Sequence, residues 1–319
     1  MIKSKRNSNP SVSKNREERI LINGIKLNVC IWPGKKTPII CLHGLSGNLH
    51  SMESIIKVLH KEGHKVISYD LRGRGHSDKP LTGYGFENHI KDLQEIILYY
   101  KLKNPIVLGH SFGCMIALRH ALRYQNQLKS MILLDGGGLL SVKKRIQILK
   151  VLKQSFDRLD VVFPNPESYL QLVKNSPLIP HWTKEIQNYF INELHKSNNG
   201  YVCHMPKFVM EEELKEMGGS IHIYKVLILF LLRPLYMIQK IKKNRHLDFE
   251  SIQIPTLIMR GTKMNLYPND DLLPSDAYLS MLNRIPNAKG LEIETNHYGI
   301  LFERIKKRDK AILEFIKRS

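Results

Sequence analysis

The sequence predicts an α/β architecture: a mostly parallel sheet flanked by helices, with an inserted helical cap. Three observations predict it. Between residues 20 and 137, short β-prone apolar runs alternate with segments of helical period, the pattern of a parallel sheet covered on both faces. After residue 250 the same alternation returns. Between them, in 138–250, apolar residues recur at helical spacing alone, and strand chemistry on both sides marks this block as a cap inserted into one core made of 20–137 and 251–319. A chain of 319 residues can bury the core that such a domain needs.

Residues 1–19 are basic and polar, which predicts a solvated, disordered arm and neither a signal peptide nor an anchor. In "RILINGIKLNVCIW" (19–32) the Asn23-Gly24 pair separates two β-prone runs and predicts a hairpin at a sheet edge. "TPIICLHG" (37–44) reads as a buried strand. A helix from Asn48 to His60 follows, with Met52, Ile55, Ile56 and Leu59 on one face. "HKVISYD" (64–70) is the next strand, leading through a Gly- and Arg-rich loop to a helix at Glu87–Tyr100. "PIVLGHS" (105–111) runs into a helix at Phe112–Tyr124, and "LKSMILLDGGG" (128–138) is a strand ending in three glycines. Within the insertion, Val142, Ile146, Leu149, Leu152, Phe156 and Leu159 share a helical stripe, as do Trp182, Ile186, Phe190 and Leu194. The core resumes with "IPTLIMRG" (254–261), a helix at about Pro274–Arg284, the strand "GLEIET" (290–295) and a closing helix to about Phe315.

The formal charge of +20 suggests a polyanion partner until it is located. About +7 falls in residues 1–40, about +6 in 138–250 and about +5 in the last sixteen residues, so the excess forms no stripe or groove and predicts no nucleic-acid partner. In "YKVLILFLLRPLYMIQKIKK" (224–243) the unbroken apolar run Val226–Leu232 is far short of the roughly 20 residues that span a bilayer. It reads as a lid helix over a pocket, with contact between Lys240, Lys242 and Lys243 and a membrane surface as the alternative. Cys30, Cys41, Cys114 and Cys203 form no CxxC pair and no short disulfide framework, which points to a reducing, cytoplasmic setting.

Gly109-His110-Ser111-Phe112-Gly113 places a serine between a strand and a helix, the context that gives a G-x-S-x-G sequence its meaning. Glycines relieve crowding in the sharp turn, and the serine projects at the carboxyl edge of the sheet. A serine hydroxyl needs a base. His297, just after the last strand, reaches the same edge, whereas His110 reads as packing beside the turn.

With "CLHGLSGN" (41–48), "YDLRGRGHSDKP" (69–80), "GHSFG" (109–113), "LLDG" (133–136) and "NHYG" (296–299) in this order, the chain resembles the α/β-hydrolase superfamily in its capped, lipase- and esterase-like branch. The resemblance implies Ser111 as nucleophile, His297 as base, and an oxyanion hole from the backbone N–H groups of Leu45 and Phe112. It gives His43 and Gly44 a loop-shaping role and makes Asp70, Arg72 and Arg74 architecture. Cys114 stands where many relatives carry a second glycine.

The acid is harder to place. After "TLIMRG" the chain continues "TKMNLYPNDDLLP" with Asn265 near the usual position. Asp270, in Asp270-Asp271-Leu272-Leu273-Pro274, resembles the family's acid before two apolar residues and a proline and is the first choice; Asp135, at the end of the preceding strand, and Asp271 are the alternatives. The expected function is a serine hydrolase cleaving a small or medium acyl substrate, foremost a carboxylic ester, through an acyl-enzyme with no metal or organic cofactor. A thioester, lactone, amide or carbon–carbon substrate would use the same residues. A displaced acid also admits a noncatalytic ligand-binding protein on the same fold. The sequence leaves the oligomeric state open.

Overall fold

The computed structural model describes residues 15–141, 144, 156–176, 179, 182–216, 235, 247–264 and 271–319. The expected helix from Val142 falls mostly outside them, and so do residues 224–234 and 236–243 of the proposed lid. Among the described residues no helix is long and apolar enough to cross a membrane.

Eight strands form one sheet: β1 (Arg16–Ile22), β2 (Ile25–Trp32), β3 (Lys36–Leu42), β4 (His64–Tyr69), β5 (Ile106–His110), β6 (Ser130–Leu134), β9 (Thr256–Gly261) and β10 (Ala288–Ile293), the numbers β7 and β8 belonging to a separate pair in the insertion. Their order is β1-β2-β4-β3-β5-β6-β9-β10. β1 and β2 make the antiparallel edge hairpin about Asn23-Gly24, both in the positive-φ conformation that such a turn demands. From β4 to β10 every neighbour is parallel. Arg16–Arg19, assigned to the basic arm by composition, instead form the first half of β1, because pairing with Asn28–Ile31 satisfies their backbone groups.

Helices α1 (Glu53–Lys61), α2 (Phe86–Tyr99), α3 (Phe112–Tyr124), α7 (Ser275–Arg284), α8 (Gly299–Phe302) and α9 (Lys306–Arg318) surround the sheet, which divides the apolar residues into two layers. Ile40, Leu42, Val107 and Leu133 face α2 and α3, while Ile39, Cys41, Leu108 and Met259 face α1 and α9, the alternation expected when both sheet faces are covered. The predicted closing helix is two pieces, separated by Glu303 and Ile305 in extended conformation.

Between Leu134 and Thr256 lie α4 (Pro166–Lys174), α5 (Lys184–Ile191), the antiparallel pair β7 (Leu194–Ser197) and β8 (Gly200–Cys203), and α6 (Lys207–Glu216). The hairpin corrects the reading of this block as helices only. Leu194 continues the spacing of Ile186 and Phe190, yet α5 ends at Ile191, and the chain reverses through Asn198-Asn199 to Gly200 at φ 145°. A Cβ on Gly200 would sit 2.3 Å from the Phe163 carbonyl oxygen, so the reversal needs glycine there.

Candidate active site

Ser111 stands between the end of β5 and the first residue of α3, with φ 54° and ψ −113°. A non-glycine residue holds such a conformation at a cost of about 1–3 kcal/mol, and only where its surroundings dictate it. Here they do. A Cβ at Gly113 would lie 2.2 Å from the Leu42 carbonyl oxygen, one at Gly109 2.6 Å from the Gly113 carbonyl carbon, and one at Gly136 2.6 Å from the Ser111 carbonyl oxygen. The Ser111 amide donates to the Leu134 carbonyl at 3.0 Å, and the Ser111 carbonyl accepts from the Cys114 amide at 3.0 Å. The turn is thus clamped by strands β3 and β6. The Cys114 thiol is buried and donates to the Gly109 carbonyl at 3.1 Å; burial pushes its pKa up, so it packs as a small neutral group.

His297 lies in the loop between β10 and α8, whose Asn296 side chain accepts from the Gly299 amide at 2.7 Å and from the Tyr298 amide at 3.2 Å. Its Nδ1 donates to Asp135 Oδ2 at 2.7 Å, and both side chains are buried. Asp135 follows β6 at φ 48°. Its amide donates to the Met259 carbonyl at 2.8 Å, and its Oδ1 accepts from the Gly261 amide at 2.9 Å. The place on His297 first assigned to Asp270 is therefore held by Asp135, because the parallel neighbour β9 turns the strand-end carboxylate toward the loop after β10. Asp270 lies outside the described residues, and Asp271 pairs with Lys144 and, at 3.4 Å, with Arg260.

Two further histidines are held neutral. His43 donates from Nδ1 to the Gly44 carbonyl at 2.7 Å and accepts at Nε2 from the Leu71 amide at 3.0 Å, which assigns one tautomer; burial takes its pKa down to about 3. It therefore shapes the loop that carries Leu45. His110 donates from Nε2 to the His297 carbonyl at 3.1 Å, its ring centroid 4.4 Å from that of His297. Burial, then the neighbouring His297, lower its pKa well below the ordinary value.

Among the hydrogen bonds between described residues, neither the Leu45 nor the Phe112 amide has an acceptor. Phe112 is the first residue of α3, where backbone N–H groups have no partner within the helix. A cavity of about 480 Å³ opens over Ser111, His110 and His297, with Gly44 and Leu45 on one wall. Its size is that of a small-molecule site. The insertion supplies much of the opposite wall, including Val173 from α4 and Tyr189 and Phe190 from α5, while Leu301 and Phe302 come from α8. Among the described residues no group of three or more His, Cys, Asp or Glu side chains is placed to hold a metal ion.

The alpha/beta hydrolase fold family matches residues 37–303. The chain belongs to the α/β-hydrolase superfamily. This α/β hydrolase is 24% identical over 285 residues to the AB hydrolase superfamily protein YisY of Bacillus subtilis (strain 168), covering 88% of this chain and 92% of that one. It is 23% identical over 294 residues to monoacylglycerol lipase ABHD6 of Bos taurus, covering 89% of this chain and 76% of the relative. A solved structure of E-2-(acetamidomethylene)succinate hydrolase superposes with a TM-score of 0.74 at 19% identity, covering 95% of this chain and all of that one.

Several cavity residues carry no signal in the hydrolase's sequence. Arg158 and Glu193 line the cavity as a nearly buried pair at 3.2 Å, and the Tyr169 and Tyr189 hydroxyls donate to Glu193, the second at 2.9 Å. A lone arginine after Phe156 and a lone glutamate after α5 look like surface residues until the hairpin folds them together.

Proposed function

We propose that this α/β hydrolase is a serine hydrolase that cleaves a small or medium carboxylic ester through an acyl-enzyme. The observation that carries the reading is the Asp135–His297 hydrogen bond of 2.7 Å at the edge of a cavity that also exposes Ser111. With Nδ1 of His297 engaged by Asp135, Nε2 is the nitrogen that takes the proton from the Ser111 hydroxyl as it attacks the ester carbonyl. The oxyanion is received by the Leu45 and Phe112 amides. The imidazolium then returns its proton to the leaving alkoxide, and the Asp135 carboxylate stabilises the positive ring in between. Water, deprotonated by the same nitrogen, releases the acid and restores the serine.

The cavity walls favour an apolar acyl group, since Val173, Phe190, Leu301 and Phe302 face it. Coverage of nearly nine-tenths of this chain by a monoacylglycerol lipase is in keeping with ester cleavage. A noncatalytic role drew its motive from a displaced acid, and Asp135 at His297 weighs against it. Four cysteines that are all free and buried suit a reducing compartment.

The test is labelling by a fluorophosphonate probe, with the adduct located by peptide mass spectrometry and followed by a panel of p-nitrophenyl esters. An adduct on Ser111, absent in Ser111→Ala, together with ester turnover sustains the reading. A folded wild type that neither labels nor hydrolyses any ester overturns it.

A further inference from the structure

Glu213 projects from α6 of the insertion and is fully buried against the core. Its Oε2 accepts from Arg74 Nη1 at 2.7 Å and from His89 Nε2 at 2.8 Å, and its Oε1 accepts from the Gly85 amide at 2.9 Å. These donors come from the loop after β4, from α2, and from the residue preceding α2. Burial alone would raise the pKa of Glu213, but the charges and hydrogen bonds of His89 and Arg74 outweigh it and hold the carboxyl at about 2.

Both side-chain partners continue toward Ser111. Arg74 Nε donates to the Leu45 carbonyl at 3.1 Å, and its guanidinium carbon lies 5.7 Å from the centre of the Phe112 ring. His89 meets the same ring edge-on at 5.2 Å. One carboxylate of the insertion therefore holds the two groups packed against Leu45 and Phe112, while Glu213, Arg74 and His89 are not among the residues that line the cavity.

We propose that Glu213 is a positioning residue, coupling the seating of α6 on the core to the placement of the Leu45 and Phe112 amides. The proposal rests on the oxyanion role given to those amides above. If α6 lifts, Arg74 loses its carboxylate and turns to solvent or another partner, which releases the Leu45 carbonyl and the face of Phe112. An oxyanion hole acts through donors fixed before the charge develops, so displacement costs turnover more than binding. A carboxylate that merely anchored the insertion would act through cavity shape, and hence through KM.

The experiment compares the full chain with Glu213→Gln, Arg74→Lys and Glu212→Gln, the half-buried neighbour whose carboxylate faces Lys215. It uses 15N-leucine and 15N-phenylalanine labelling to read the Leu45 and Phe112 amides, kcat and KM for p-nitrophenyl butyrate, and thermal melting to verify folding. In Glu213→Gln the two amide signals shift and kcat falls about tenfold or more with KM within twofold, while Glu212→Gln changes neither. Arg74→Lys keeps a cation for Glu213 but has no Nε to reach Leu45, and gives the same split. It is read on its own if Glu213→Gln does not fold. Unmoved amides with kcat within twofold in a folded variant, or a loss confined to KM, overturn the proposal. If the wild type hydrolyses no ester, the ester reading fails separately, and the amide shifts alone sustain or overturn the coupling.

Discussion

His297 Nδ1 donates to Asp135 Oδ2 across 2.7 Å, although 162 residues separate the two in the chain. The contact joins the ends of β6 and β10, two strands apart in the sheet, and fixes which ring nitrogen faces the cavity. Asp135→Asn should therefore lower kcat for p-nitrophenyl esters by about 10³- to 10⁴-fold with the fold intact, because an amide cannot stabilise the imidazolium and permits the wrong tautomer. Asp271→Asn, which among the described residues loses the ion pairs to Lys144 and Arg260, should stay within about threefold of wild type. A large loss in Asp271→Asn, with Asp135→Asn near wild type, would remove Asp135 from the triad.

The acid limb of stability follows from buried neutral histidines. His43 and His120, driven by burial to about 3 and about 4, and His110, well below its ordinary value, remain uncharged in the folded protein where the unfolded chain, near 6.5, takes up protons. Their contribution is whole above about pH 6.5 and is lost as pH falls toward the folded values. Near pH 5 the three should lower unfolding free energy by about 4 kcal/mol per pH unit. His120→Gln, in which the amide can still donate to Gln94, should reduce that slope by about a third. Urea unfolding at pH 7, 6 and 5 measures it, and a flat profile would mean that these rings are charged in the folded state.

Glycine substitutions should separate crowding from backbone conformation. Gly113→Ala drives a methyl group into the Leu42 carbonyl and should destabilise by about 3 kcal/mol or more while abolishing fluorophosphonate labelling. At Gly24, φ is 79° with open space around it, so alanine costs only backbone strain of about 1 kcal/mol and leaves labelling unchanged. Equal losses in urea at both sites would contradict the clamp described for the Ser111 turn.

Filling the cavity should shift chain-length preference. Val173→Phe adds bulk to the wall built by α4, so kcat/KM for an octanoate ester should fall by about tenfold or more while butyrate changes by less than about threefold. Parallel losses for both chain lengths would place the acyl group elsewhere.

The Arg158–Glu193 pair should behave as a buried couple. Arg158→Met leaves Glu193 with two tyrosine hydroxyls and no cation, a loss of about 3–5 kcal/mol, and the double change Arg158→Met/Glu193→Leu should recover most of it. Denaturant midpoints decide, and a double variant no more stable than the single one would show that the pair is not the relevant partner.

What the sequence reveals depends on how local each constraint is. The turn around Ser111 is legible because two of the three glycines whose crowding fixes it, Gly109 and Gly113, fall within a five-residue motif. His297 is legible from its place after the last strand. The acid is not, since Asp135 differs from an ordinary strand-end residue only through β9, whose amide at Gly261 and carbonyl at Met259 orient it. By contrast, Asp270-Asp271-Leu272-Leu273-Pro274 carries a local resemblance that the hydrogen bond to His297 does not need. The β7–β8 hairpin hides in the same way, because Leu194 continues a helical stripe that the turn at Gly200 breaks. Glu213 is the extreme case, its partners lying 124 to 139 positions away.

The insertion leaves the sheet after Asp135 at the carboxyl end of β6 and returns at the amino end of β9, and because the two strands are parallel these points lie at opposite ends of one ladder, Leu134 opposite Met259 and Met131 opposite Thr256. The ladder of β6 and β9 thus fixes the span that the insertion has to cross. Loops and helices can be lengthened, shortened or swapped within that span while the ladder keeps Asp135 in register with β9. New specificities can be grafted onto this scaffold between those two ends, provided that the replacement brings its own carboxylate to Arg74.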